Sequence, residues 1–403
     1  MHAAPPMSFF VRNLGFVFFA FAASAYTSVV PQLVFARTAP ESKSLWLSAT
    51  LLLGTIASLA AVELARRLGY GARPRLGGSI VTSAIVASLF ISACVNDPLS
   101  FAALCVTLRG LCQYASQESD RRAAALAGTA GRAKNDAISL SLRFAGMLAG
   151  PLFMGLHPDF DGLSAGLYVS LGALALCSTL AIAPAPPIVA SPAEGEPDAV
   201  ARPLRRSDHL VIWAGRLTFA CYSLLAACVL YALRDLHGLT DAARRGGTMI
   251  TVAFGAAMIA TPFLAALRGR VVPRSALLGM LPAPIGIVAT GLLLPSPSTA
   301  QLVPGLLGAA VLGVAFAAFQ LSFRDYASHQ AIEGGRKELL AIFNNLANTS
   351  ALIAFGVMLG LSIGARALAV EPARASAIGV AALGLLAVAV TGRARHANRK
   401  AAA

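Results

Sequence analysis

The sequence predicts an all-α membrane protein with twelve transmembrane helices in two six-helix pseudo-repeats. Three observations carry that reading. The chain of 403 residues is 57% hydrophobic and 12% charged, whereas average soluble proteins carry about 25% charged residues. Apolar stretches near the length of about 20 residues that a spanning helix needs recur at 14–35, 45–65, 76–95, 99–117, 136–156, 163–184, 209–233, 247–267, 275–295, 301–323, 339–363 and 374–391. The one long polar, Pro-rich break, from Pro184 to His209, divides these spans six and six.

The break reads as a flexible linker. The expected organisation is a six-helix bundle over 1–184, a cytoplasmic linker over 185–208, a second bundle over 209–392 and a basic cytoplasmic tail over 393–403. A net charge of +14 first suggests nucleic acid. Its basic residues stand in small clusters between apolar runs, without a basic face of interleaved aromatics, so nucleic acid is excluded as a partner. Lys and Arg instead crowd alternate loops, among them Arg66–Arg75, Arg121–Lys134, Arg202–Arg206 and Arg268–Arg274. By the positive-inside rule both termini are cytoplasmic. The first apolar stretch runs past the small residues Ala22–Ala25 to Val34, so it is expected to be an uncleaved span. The six cysteines all lie in apolar runs without a CxxC pair, and read as small apolar residues. No metal or cofactor is expected.

The most unusual span is the fifth. It carries Gly146, Gly150, Pro151 and Gly155, with Arg143 three residues ahead of the first glycine. A proline inside a soluble helix costs about 3 kcal/mol, but membrane helices tolerate Gly and Pro where neighbours satisfy the freed groups. Gly146 and Gly150 are four apart, so they offer a face on which another helix can approach closely. Span eleven, six spans later, carries Gly356, Gly360 and Gly364. The loops after spans two and eight are both short, basic and rich in Gly and Pro. These echoes are what parallel internal repeats produce.

Twelve spans, a central loop and three motifs resemble the major facilitator superfamily. In the loop after span two, Glu63, Arg66, Arg67, Gly69 and Arg73 resemble that family's acidic, basic and glycine pattern, with Glu for Asp and a shifted spacing. Arg109 in span four resembles its intramembrane arginine, with Gln113 where glycine is usual. Gly146, Gly150, Pro151 and Gly155 resemble the helix-five motif of its exporters and drug/proton antiporters, with Met154 and Ala137 replacing two glycines. The resemblance implies alternating access by two bundles, and spans one, four, seven and ten around a central cavity.

Charged groups inside a membrane are expensive and mark functional sites. Arg109 is the deepest, while Arg143 and Arg216 lie towards the cytoplasmic ends of spans five and seven, within snorkelling reach of water. No Asp or Glu falls near a span centre, so a proton carrier is sought at helix ends, in Glu118 or Asp325. Tyr26, Gln320, Asn344 and Asn348 add polar candidates within spans one, ten and eleven.

Two functions follow. The first is a secondary active transporter exporting a small organic molecule, drug-like or a secreted metabolite such as a siderophore, across the inner membrane, with a proton as candidate coupling ion. The alternative is uptake of a small anionic metabolite, resting on the arginines. An integral-membrane enzyme is disfavoured, since HExxH and paired intramembrane carboxylates are lacking. A monomer in a lipid bilayer is expected. If Arg109 serves the cavity, Arg109→Ala and Arg109→Lys lose transport of the solute while reaching the membrane at normal levels; unchanged transport removes the role.

Overall fold

The computed structural model describes Val17, Ala20, Phe21, Ser24, Thr38 and residues 42–67, 132–156, 203–268, 278–296, 302–332, 336 and 338–402. These form an all-helical body. The helices are α1 (Lys43–Arg67), α2 (Arg132–Leu156), α3 (Arg206–Tyr231), α4 (Ala242–Arg268), α5 (Pro282–Leu293), α6 (Leu302–Ile332), α7 (Glu338–Ala367) and α8 (Pro372–Ala402). They correspond to predicted spans two, five and seven to twelve. Spans three, four and six lie outside the described residues.

Among the described residues five stretches are long and apolar enough to cross a membrane: Arg206–Leu236, Ala242–Leu267, Val303–Ala327, Thr349–Ala367 and Pro372–Arg399. Shorter apolar helices run over Lys43–Ala57, Leu140–Leu152 and Pro282–Leu293. Their outer faces are apolar as well. Ile259, Phe263 and Leu267 on α4 are all at least 60% exposed, as are Val303, Leu307 and Val311 on α6. Patches this large suit lipid rather than water. The chain is an integral, multi-pass membrane protein.

Several predicted boundaries are corrected. Span ten was expected to end at 323, but α6 continues to Ile332. The expected separate tail over 393–403 is instead the last turns of α8, which runs to Ala402. The expected linker ends earlier than 208, because α3 begins at Arg206. Span nine is shorter than expected and is preceded by a 3-10 turn, Leu278–Met280. Hydropathy stops at the edge of the hydrocarbon, whereas helical hydrogen bonding does not.

Polar residues in these apolar helices satisfy themselves locally. Ser48, Thr55, Thr218, Thr261, Ser322 and Thr391 each donate to the carbonyl four residues back, at 2.6–2.9 Å. This pattern leaves few polar atoms facing lipid. Past α3 the chain takes a π-helical turn, Ala232–Leu236, and leaves it through Gly238 at φ 62, which only glycine adopts without strain.

Two seams organise the body. α2 packs along α4, and α1 packs along α7. In span numbers these are five with eight and two with eleven. A shift of six spans exchanges one seam for the other, which is the relation parallel repeats require. In the first seam Phe144 meets Phe254 with ring centroids 6.3 Å apart. In the second, Ser48 and Ser362 exchange a hydroxyl contact at 3.4 Å.

Gly146 of span five makes a close helix contact. A Cβ on Gly146 would stand 2.3 Å from the Val17 carbonyl oxygen and 2.8 Å from the Ala20 Cβ. α2 therefore lies against the first span backbone to backbone, and Ser24 Oγ reaches the Gly146 carbonyl at 3.5 Å. Pro151 is accommodated inside α2 without ending it. The echo in span eleven is not matched by a close contact among the described residues: there, Cβ atoms on Gly356, Gly360 and Gly364 would meet nothing within 4 Å. Gly146→Leu should therefore destabilise the protein by about 1–3 kcal/mol, the range for overpacking, while Gly356→Leu changes stability little. Thermal midpoints of the purified variants check this contrast.

Candidate functional site

The seam between α2 and α4 is continuous with an aromatic cluster. It gathers Phe144 of α2, Phe219 and Tyr222 of α3, Phe254 of α4, and Phe316, Phe319 and Phe323 of α6. Tyr222 stacks on Phe316 at 3.7 Å between centroids. Phe219 meets Phe316 and Phe319 edge-on at 5.6 and 5.4 Å. Phe144 also approaches Phe316 edge-on, at 6.3 Å. Offset and edge-on pairs of this kind contribute about 0.5–1.5 kcal/mol each beyond burial. Four elements thus meet through ring contacts.

The predicted arginines border this cluster. Arg143 precedes Phe144, and Arg324 of α6 is near enough to repel it. Arg216 lies one turn before Phe219 on α3, and its guanidinium carbon sits 5.2 Å from the centroid of the Trp213 ring. That is cation–π distance. Gln320 is half-buried on α6, one residue past Phe319. Asn344 and Asn348 lie on α7. Tyr26, Arg109 and Gln113 lie outside the described residues, as do Gly69, Arg73 and Glu118.

Of the loop motif, Glu63 and Arg67 form an ion pair at 2.8 Å on the last turns of α1. Arg66 is helical beside them. The pair is one helical turn apart and largely exposed, so it contributes about 0.3–0.5 kcal/mol. Also on α2, Gly150 and Pro151 are buried. A Cβ on Gly155 would meet the Arg244 carbonyl at an ordinary 3.6 Å.

The sequence reading missed a buried polar network at the start of α3. Asp208, placed by that reading in the linker, is 1% exposed. One of its oxygens accepts the Arg205 backbone N–H at 2.8 Å, capping the helix. The other accepts the Tyr326 hydroxyl at 2.7 Å. Arg336, which is 3% exposed, brings Nε to 3.2 Å from Asp208 Oδ2. That contact lacks hydrogen-bond alignment and acts as an ion pair. Arg336 also donates through Nη1 to the Gln330 side chain. The network ties the start of α3 to the end of α6 and to the segment leading into α7. An acid so close to its basic linker neighbours looks solvated in sequence. The signal that could have found it is its place three residues after Arg205, as the N-terminal cap of an apolar run.

No family model matches the sequence, and no curated protein matches it. Solved structures do. Over 95% of this chain and 98% of the other, a variant of the nucleoside transporter NupG superposes with a TM-score of 0.69 at 13% identity. NupG itself gives 0.61 at 12% identity, covering 97% of this chain and 99% of its own. The fucose:proton symporter FucP of E. coli gives 0.61 at 12% identity, covering 97% and 98%. The chain has the fold of the major facilitator superfamily. Within that fold the α2–α4 and α1–α7 seams join helices from opposite sides of the Pro184–His209 break.

Removing one partner of a buried ion pair costs about 3–5 kcal/mol, since the other charge is left uncompensated. Arg336→Ala and Asp208→Ala should each lower stability on that scale, and the double variant should lose clearly less than the sum. Denaturation of all three variants in the same detergent measures the coupling; simple additivity would show that the pair is not energetically joined.

Proposed function

We propose that the chain is a secondary transporter of the major facilitator superfamily that exports a small organic molecule across a bacterial inner membrane by alternating access. The observation that carries this reading is the packing of the span-five glycine motif. Gly146 lets α2 lie on the first span, and the opposite side of α2 forms the ring-lined seam with α4. A helix fixed to its own bundle on one side and sliding on the other bundle is what a rocking movement needs. The motif Gly146, Gly150, Pro151 and Gly155 resembles that of exporters, and the cluster's apolar rings favour a cargo with an aromatic or otherwise apolar part.

The solute is expected to meet Tyr26, Arg109, Gln113, Arg143, Arg216, Gln320, Asn344 and Asn348, in a cavity between residues 1–184 and 209–392. The coupling ion in this reading is a proton, supported by the resemblance to drug/proton antiporters. Both termini are expected in the cytoplasm, and the working unit is expected to be a monomer.

Uptake is a second reading with its own support. Structures of a nucleoside transporter and of a fucose:proton symporter share this fold over nearly the whole chain. The arginines Arg109, Arg143 and Arg216 would favour an anionic solute in that case.

Labelled candidate solutes decide the direction. A strain lacking the gene should retain more of the exported compound than its parent, severalfold at steady state, and everted vesicles should accumulate it when a proton gradient is applied. Lower accumulation in the deletion strain, restored by the gene, replaces export with uptake.

A further inference from the structure

One cavity lies among α3, α4, α5 and α6, bordering the aromatic cluster at Tyr222 and Phe254. Its volume is about 160 Å³. Tyr222, Leu225, Met249, Phe254 and Leu312 are among the residues that form its largely apolar wall. An apolar cavity of about 150 Å³ engineered into another protein stays dry and takes up benzene or xenon. The space here accordingly fits one aromatic ring.

Two polar side chains on the wall define what that ring must carry. His237 Nε2 lies 2.9 Å from the Leu294 carbonyl oxygen. A carbonyl only accepts, so Nε2 holds the proton and donates. In the neutral ring Nδ1 is then an acceptor, and it has no partner among the described residues. Thr290 likewise spends its hydroxyl proton on the Gly286 carbonyl at 2.8 Å, leaving its lone pairs. Both groups therefore offer acceptors, and a ligand must bring a donor to use them.

The entrance faces outward from the bundle. Leu293 is 56% exposed, and Pro304 and Gly308 beside it are exposed as well. A Cβ on Gly308 would meet nothing within 4 Å among the described residues. This rim adjoins the exposed Val303, Leu307 and Val311, the face read as lipid-contacting. Compounds that partition into the bilayer are concentrated there.

We propose that this cavity is a binding site for a single aromatic ring bearing an N–H or O–H donor, of the phenol or indole class, entering past Gly308 from the bilayer. The ring occupies the apolar space and its donor meets His237 Nδ1 or the Thr290 hydroxyl. The site does not depend on the direction of transport, and binding to it is measured without transport.

The test uses the full chain in nanodiscs of one saturated phosphatidylcholine, with methionine methyl groups labelled for NMR. Met249 lines the cavity, whereas the fully buried Met358 does not and serves as the control. Indole should shift the Met249 resonance saturably and leave Met358 in place. Gly308→Leu, which blocks the entrance, should weaken indole at least tenfold. His237→Phe should weaken it about fivefold, the scale of one net hydrogen bond, and leave benzene unaffected. If Gly308→Leu does not fold, Thr290→Leu fills the cavity from its α5 wall and carries the same expectation. A Met249 signal unmoved by saturating indole overturns the proposal. So does octane binding as well as indole in both the wild type and His237→Phe, which would make the cavity plain lipid space.

Discussion

Everything in this molecule answers to the exclusion of water from the hydrocarbon layer. A backbone amide left unpaired there costs several kcal/mol, so each crossing segment must be a helix. The same constraint sends Ser and Thr side chains back onto their own helix, as at Thr218, Thr261 and Thr391. Charges are pushed to helix ends or neutralised in place. Asp208 illustrates both. It caps the start of α3 and is neutralised by Arg336, with Tyr326 taking its remaining oxygen.

Once backbones are satisfied internally, helices hold together by fit rather than by escape from water. Fit is tightest where glycine removes the side chain, and Gly146 brings α2 onto the first span at backbone distance. The other face of α2 is different. It meets α4 and α6 through Phe144, Phe254 and Phe316. One helix therefore has a close-packed backbone side and a ring-lined side. The second seam, α1 on α7, takes the equivalent position after a six-span shift, so a movement at one seam has a counterpart at the other.

How much of this was readable in the sequence depends on the range of the interaction. Local hydropathy located the helices that are described, and the glycine spacing at 146 and 150 announced a close helix contact because both facts repeat within a few turns. The ends of α6 and α8 were misplaced because a helix can continue into the polar interface after its apolar run has finished. Asp208 could not be recognised as buried. Its partners Tyr326 and Arg336 are more than a hundred residues away, and its neighbours Arg205 and Arg206 suggest a solvated loop. Span eleven shows the limit of spacing: its three glycines match those of span five, yet meet nothing close among the described residues. Arg143 and Arg216 were singled out individually. That Arg143 lies near Arg324 is a tertiary fact, whereas Arg216 over Trp213 is a contact three residues apart within α3.

The central claim is that the α2–α4 seam opens and closes as a unit. It is tested most directly by the distance between spin labels at Leu156, on the end of α2, and Thr240, just before α4, in a cysteine-free background. Both positions are exposed. Double electron–electron resonance in nanodiscs should give two distance populations whose ratio shifts between acidic and neutral pH or on adding a transported solute. A single narrow distance under every condition would contradict alternating access at this seam.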